Sequence, residues 1–139
     1  MYLLDTDTLT FAHRGHVGVA ARIREVGQAN VATTVVSAVE VLRGRHEYLL
    51  KASDGNQLLL AQRLLDVTQA LLRELEIIGI DSAAAAEFDR LRQNKKLKKV
   101  GRGDLLIASL ALAHRATLVT RNLRDFQQIS GLRVENWAD

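Results

Sequence analysis

Apolar and polar positions along this chain follow two rhythms. Short apolar runs stand at 2–5, 31–36, 76–80, 117–120 and 132–137, the second of them rich in β-branched residues, and they predict five strands. Between them, apolar residues recur every three or four positions, as on one face of a helix. That spacing predicts helical turns from Asp7 towards His13, a helix near 17–27 carrying Val19, Ile23 and Val26, and a helix from Ser37 to about Leu50. Asp54-Gly55-Asn56 predicts a turn before a long helix over Gln57–Leu75. Its stripe is Leu60, Leu64, Val67, Leu71 and Leu75, widened by Leu58, Leu65 and Leu72, and it serves either as core or as a surface for a partner helix. Asp81-Ser82 caps a helix that runs through Phe88 and Leu91 and fades into Lys95–Lys99. Asp104–His114 is apolar on nearly every side, which predicts a buried helix. Strands alternating with helices argue for a parallel sheet in an α/β fold.

Length and composition narrow the picture. A chain of 139 residues has the size of one domain with a real hydrophobic core, and residues 1–139 are expected to form a single unit. Cysteine is absent, which excludes disulfides and thiolate metal sites and leaves oxygen donors as ligands for a hard cation. No apolar run approaches the ~20 residues of a membrane helix. The first residues carry Asp5 and Asp7 in place of a basic n-region. A cytoplasmic protein with no membrane partner is therefore expected. The net charge of +3 permits a nucleic-acid partner without demanding one.

The candidate chemistry is carboxylate chemistry. Tyr2-Leu3-Leu4 ends in Asp5, and an acid at the carboxyl end of a buried strand is costly unless something pairs it. In parallel sheets that edge is where ligands sit. Glu40 in Ser37-Ala38-Val39-Glu40 and Asp104 in Gly101-Arg102-Gly103-Asp104 stand at similar junctions. Each acid has an ordinary alternative. Asp5 serves as a turn residue or cap, Asp7 as a helix cap, Ser37 with Glu40 as a capping box, and Asp104 as an acid favoured by the helix dipole. The hydroxyls of Thr6 and Thr8 are available to support either early carboxylate, and Gly103 allows close backbone approach. A fourth junction, Leu118-Val119-Thr120-Arg121-Asn122-Leu123-Arg124-Asp125, offers Asn122 and Asp125 as oxygen donors. Clustered carboxylates repel one another, and a divalent ion such as Mg²⁺ or Mn²⁺ relieves that repulsion.

Cations flank three of the four junctions. Lys95, Lys96, Lys98, Lys99 and Arg102 precede Asp104, Arg43 and Arg45 follow Glu40, and Arg121 and Arg124 flank Asn122. They suit either nucleic-acid phosphates or solvated helix ends. His13, His16, His46 and His114 lack metal-like pairing and read as structural, and Trp137 as an anchor for the last strand.

In order and spacing these segments resemble the PIN-domain ribonucleases, specifically VapC-type toxins of bacterial toxin–antitoxin pairs. The resemblance is carried by Leu3-Leu4-Asp5-Thr6-Asp7, by Ser37-Ala38-Val39-Glu40-Val41-Leu42-Arg43-Gly44, and by Gly103-Asp104-Leu105-Leu106-Ile107-Ala108. Leu118-Val119-Thr120-Arg121-Asn122 and the ending Gly131-Leu132-Arg133-Val134-Glu135-Asn136-Trp137 complete it. It implies a three-layer α/β/α fold with a central, mostly parallel sheet, a homodimer, an RNA substrate and a cognate antitoxin. Asp5, Glu40 and Asp104 match the family's three acidic metal ligands. Where the family usually has a fourth acid, this chain has Asn122, which is assigned to the catalytic set with Asp125 as a helper. The implied reaction is metal-dependent hydrolysis of RNA to a 5′-phosphate and a 3′-hydroxyl. Two rivals stand beside it. Leu3-Leu4-Asp5-Thr6-Asp7-Thr8 also resembles the first motif of haloacid-dehalogenase-like phosphatases, with Asp5 as nucleophile and Asp7 as general acid, but that scheme leaves Glu40 without a role. The substitution at Asn122 admits a PIN-like module that binds RNA or protein without cutting.

Overall fold

Leu3 and Leu4, adjacent in sequence, point to opposite faces of a sheet, and each begins a separate core. In the computed structural model, which describes residues 1–139, five parallel strands are ordered β3-β2-β1-β4-β5. They are β1 (Tyr2–Leu4), β2 (Val31–Thr34), β3 (Glu76–Ile78), β4 (Thr117–Val119) and β5 (Arg133–Glu135). The helices are α1 (Thr6–His13), α2 (Val17–Val26), α3 (Val35–Lys51), α4 (Gly55–Glu74), α5 (Ser82–Arg92), α6 (Arg102–Ala113) and the short α7 (Leu123–Phe126).

On one face Leu3, Ala32 and Leu118 pack with Ala84 and Leu91 of α5, Ile107 and Leu110 of α6, and Phe126 of α7. On the other, Leu4, Val31 and Val119 pack with Leu9 of α1, Val19 of α2, Val41 of α3, Leu72 of α4 and Trp137. This is the expected three-layer α/β/α arrangement. Because both faces are covered, the strands read as nearly continuous apolar runs. Trp137 is buried and its ring centroid lies 5.2 Å from that of Tyr2, anchoring the chain after β5 as expected.

Strand order positions the site. The chain leaves β1 for β2 on one side and reaches β4 on the other, so the carboxyl ends of β1 and β4 flank a topological switch point. Leu4 is in register with Thr33 of β2 and Val119 of β4, and Asp5 is the first residue beyond that edge.

Several element boundaries differ from the expected ones, for identifiable reasons. β2 stops at Thr34, and Val35 and Val36 enter α3, although β-branched side chains favour strands. A local hydrogen bond outweighs that preference: Thr34 Oγ1 accepts from the Ser37 backbone N–H at 3.0 Å. Thr34, not Ser37, is therefore the cap, and the expected Ser37–Glu40 capping box does not form. Likewise Asp5, not Asp7, caps α1, its Oδ1 accepting from Thr8 N–H at 2.8 Å. Asp54 caps α4, so the expected turn at Asp54-Gly55-Asn56 is the entry to that helix. The strands at 76–80 and 132–137 shorten to three residues each, and α6 begins at Arg102, ahead of Asp104.

The leucine stripe of α4 is also rotated from its expected position. The buried residues are Ala61, Leu65, Thr68 and Leu72, while Leu60 and Val67 are exposed by 41% and 47%. Arg45 of α3 donates through Nε to Thr68 Oγ1 at 3.0 Å, a polar contact between the paired helices that apolar periodicity does not reveal. His16, read as structural, caps α2 by accepting from Val19 N–H at 3.2 Å.

Candidate active site

Asp5 is 7% exposed and tied in from both sides. Its backbone N–H donates to Val119 O at 3.0 Å, and its carboxylate caps α1. Burial raises its pKa above the ordinary aspartate value, against hydrogen bonds from Thr120 and Thr8 that favour the charged form. The capping role and a site role are thus combined in one residue, which spends one oxygen on the helix.

Glu40 lies in the second turn of α3, at the solvent edge, and is held from a distant segment. Thr6 Oγ1 donates to Glu40 Oε1 at 2.8 Å. The Thr6 and Ser37 hydroxyls lie 3.2 Å apart, as do those of Ser37 and Thr34. Donation running from Thr34 to Ser37 to Thr6 to Glu40 satisfies all three hydroxyls with one proton each. With no capping box, Glu40 has no local backbone partner, and its ordinary alternative falls away. A methyl at Gly103 would meet Glu40 Oε2 and Oε1 at 3.7 and 3.8 Å, so this carboxylate rests against the residue preceding Asp104.

Asp104 occupies the first turn of α6, partly buried. Its pKa is raised by burial first, then by the charges of Asp5, Glu40, Asp125 and Asp7. The chain's ion pairs join Arg22 with Glu25 and Glu135, Arg90 with Glu87, and Arg121 with Asp139; none involves these five acids. No ion pair offsets their mutual repulsion.

The fourth segment behaves as a unit. Asn122 N–H donates to Thr120 Oγ1 at 2.9 Å, and Asn122 Nδ2 donates to Asp125 Oδ2 at 3.0 Å. The Asn122 side chain makes no cap bond to α7, so the Asp125 carboxylate is what its amide holds. The fold thus brings Asp5, Glu40, Asp104 and Asp125 within electrostatic range at one edge, with Asn122 behind Asp125. Thr120, with no place in the expected site, joins both halves, supporting Asp5 and anchoring Asn122. Its one sequence signal is its position at the end of a strand beside β1.

The donor set is all oxygen, anionic and unpaired, which fits a hard divalent cation in type and in charge. No three of the carboxylates converge on one point. Convergence of three is not required, since Mg²⁺ characteristically takes one or two carboxylates and keeps several waters.

The model of the PIN domain matches residues 2–132. The ribonuclease VapC2 of Rickettsia felis is 32% identical over 139 residues, covering 99% of this chain and 98% of its own. The DNA-bound VapBC of Salmonella typhimurium superposes with a TM-score of 0.82 at 27% identity, covering 98% of this chain and 97% of that one. A toxin–antitoxin complex from Klebsiella pneumoniae superposes with a TM-score of 0.70 at 26% identity, over 95% of each chain.

Proposed function

Because the chain belongs to the PIN-domain family, and is similar along nearly its whole length to VapC ribonucleases, we propose that it is an endoribonuclease, the toxin of a toxin–antitoxin pair. The observation that carries the reading is the gathering of Asp5, Glu40, Asp104 and Asp125 at the carboxyl edge of β1 and β4 with no cation paired to them. Asp5, Glu40 and Asp104 would hold the divalent ion, Mg²⁺ or Mn²⁺, one or two of them directly and the rest through its bound waters. Such an ion, when bound, lowers the pKa of water and offsets negative charge on a phosphodiester.

The chain's own residues hold the geometry. Thr8 N–H fixes one oxygen of Asp5, and Thr120 supports the same carboxylate. Thr6 orients Glu40 from across the site. Asn122 stands where the family's fourth acid usually does and contributes by positioning Asp125, whose charge takes over that role. The expected products are a 5′-phosphate and a 3′-hydroxyl. The haloacid-dehalogenase-like reading has no use for Glu40, which Thr6 holds into the cluster, and the family model that matches residues 2–132 is the PIN domain.

Residues 1–139 act as one catalytic domain in this reading, working in the cytoplasm on RNA. No helix is long and apolar enough to cross a membrane. A second copy of the chain and an antitoxin are its protein partners, and the exposed Leu58, Leu60 and Val67 of α4 offer apolar surface for such contacts.

The test is cleavage of total cellular RNA by purified protein with Mg²⁺ or Mn²⁺, with chelator, and beside Asp104→Asn. Discrete metal-dependent fragments with 5′-phosphate ends, absent in the folded variant, are expected. RNA left whole by the folded, metal-supplied wild type would overturn the proposal in favour of a module that only binds.

A further inference from the structure

We propose that the cleft between the turn at Lys95–Leu97 and α7 binds the RNA backbone flanking the scissile bond, a proposal that rests on the ribonuclease reading. Four of the chain's five lysines fall within Lys95–Lys99. The turn that carries them is fixed to the body of the protein. Leu97 and Val100 are buried, at 2% and 6% exposure, and Asn94 Oδ1 accepts from Lys96 N–H at 3.0 Å. All four lysines are exposed around those anchors.

Together with Arg124 they wall a cavity of about 740 Å³ that has Asp125 as its sole acidic lining residue. None of the five cations takes part in an ion pair. Like charges packed this densely repel one another, and a polyanion laid in the cleft relieves the strain. Asp125 ends the cleft and also acts on Asp104, so the cationic surface runs directly into the acidic cluster. That continuity distinguishes the segment from a solvated helix end.

An acidic centre by itself repels RNA, and adjoining cations offset the repulsion where the substrate must enter. Lysines are point charges without the planar fork that reads base edges, so the track grips phosphate irrespective of sequence. Base discrimination lies elsewhere on the surface.

The test compares Lys95→Gln/Lys96→Gln and Lys98→Gln/Lys99→Gln with a control of equal charge loss, Lys51→Gln/Arg73→Gln. Binding of a single-stranded oligoribonucleotide in EDTA is measured against salt. Each phosphate contact removed reduces the log–log slope by about 0.7, so each lysine pair is expected to reduce it by up to about 1.4, with the control unchanged. In cleavage with Mg²⁺, the lysine pairs raise KM about tenfold with kcat nearly constant. Lysine pairs and control that match in slope and in KM, while RNA is still cleaved, overturn the track and leave the ribonuclease reading intact. A wild type that neither binds nor cleaves RNA defeats both.

Discussion

Three aspartates in this protein do the same local job, yet one of them alone stands in a site. Asp5, Asp54 and Asp81 each cap a helix, accepting the backbone N–H three residues on at 2.8, 2.8 and 2.9 Å. Asp54 and Asp81 are exposed, on helix starts away from the acidic edge. Asp5 is buried at the junction of β1 and β4, with its pKa raised and with Glu40, Asp104 and Asp125 gathered close by. Hydrogen-bond geometry does not separate a cap from a catalytic carboxylate. What separates them is the strand edge that one of them finishes and the charge that edge collects.

Asparagine caps a helix as well as aspartate, so Asp→Asn isolates the charge. Asp5→Asn is expected to keep the fold and lose about 10²–10⁴-fold in RNA cleavage. Asp54→Asn and Asp81→Asn should leave cleavage within twofold of wild type. The comparison breaks if a folded Asp5→Asn protein cleaves like its parent, or if the outlying caps matter as much. Circular dichroism beside the cleavage assay separates loss of fold from loss of chemistry.

A second contrast is thermal. A ligand that binds only the native state stabilises it by about 2.7 kcal/mol at 100 times its Kd. Saturating Mg²⁺ or Mn²⁺ should raise the Tm of the wild type and of Asp54→Asn alike, and shift Asp104→Asn far less. Equal shifts in all three would mean that the ion binds outside the acidic edge.

The raised pKa of Asp104 gives a smaller effect of opposite sign. Its carboxyl binds a proton more tightly folded than unfolded, so folding is favoured as pH falls through the folded value. Once the carboxyl ionises, the folded state bears the cost of burying the charge first and of its repulsion from Asp5 and Glu40 second. Without divalent ions, Asp104→Asn should therefore be more stable than wild type at pH 7, by about 1 kcal/mol. That corresponds to roughly 3–5 °C in Tm, and the gain should shrink as pH drops through the carboxylate range. A variant less stable than wild type at pH 7 would show the Asp104 charge to be held favourably.

The same comparison explains what the sequence made legible. Strand order and the recurrence of acids at strand ends were readable because a sheet covered on both faces leaves apolar runs, and each run stops where a polar residue begins. The start of α3 was not readable, because Val35 and Val36 carry strand propensity while Thr34 supplies the cap. The buried face of α4 was misjudged because Ala61 and Thr68 weigh less than leucine on any apolar count. Within the site, the acids were visible and their supports were not. Thr120 and Ser37 are ordinary residue types, and only the fold brings their hydroxyls to the acidic edge. Asn122 stood out as a departure from the expected acid, but its hold on Asp125 depends on the turn into α7.

The smallest effect concerns how each cap is buttressed. At Asp54 the surroundings close on themselves: Gln57 Oε1 accepts from both the backbone and the hydroxyl of Ser53, at 2.8 and 2.9 Å, within four residues. At Asp5 the next residue reaches across 34 positions, Thr6 donating to Glu40 at 2.8 Å. A local brace affects only its helix, whereas a long-range one sets the direction of a second carboxylate. Thr6→Val removes the donor and keeps the shape, and a solvent-edge hydrogen bond to a charged group is worth about 1 kcal/mol. Cleavage should then fall roughly fivefold, in kcat more than in KM, because Glu40 is misdirected while the RNA surface is intact. Thr6→Ser restores the hydroxyl and should restore kcat, and Gln57→Leu should cost a little stability and no cleavage. If Thr6→Ser is as slow as Thr6→Val, the methyl group's packing matters and the hydroxyl does not, and Glu40 is held by something other than Thr6.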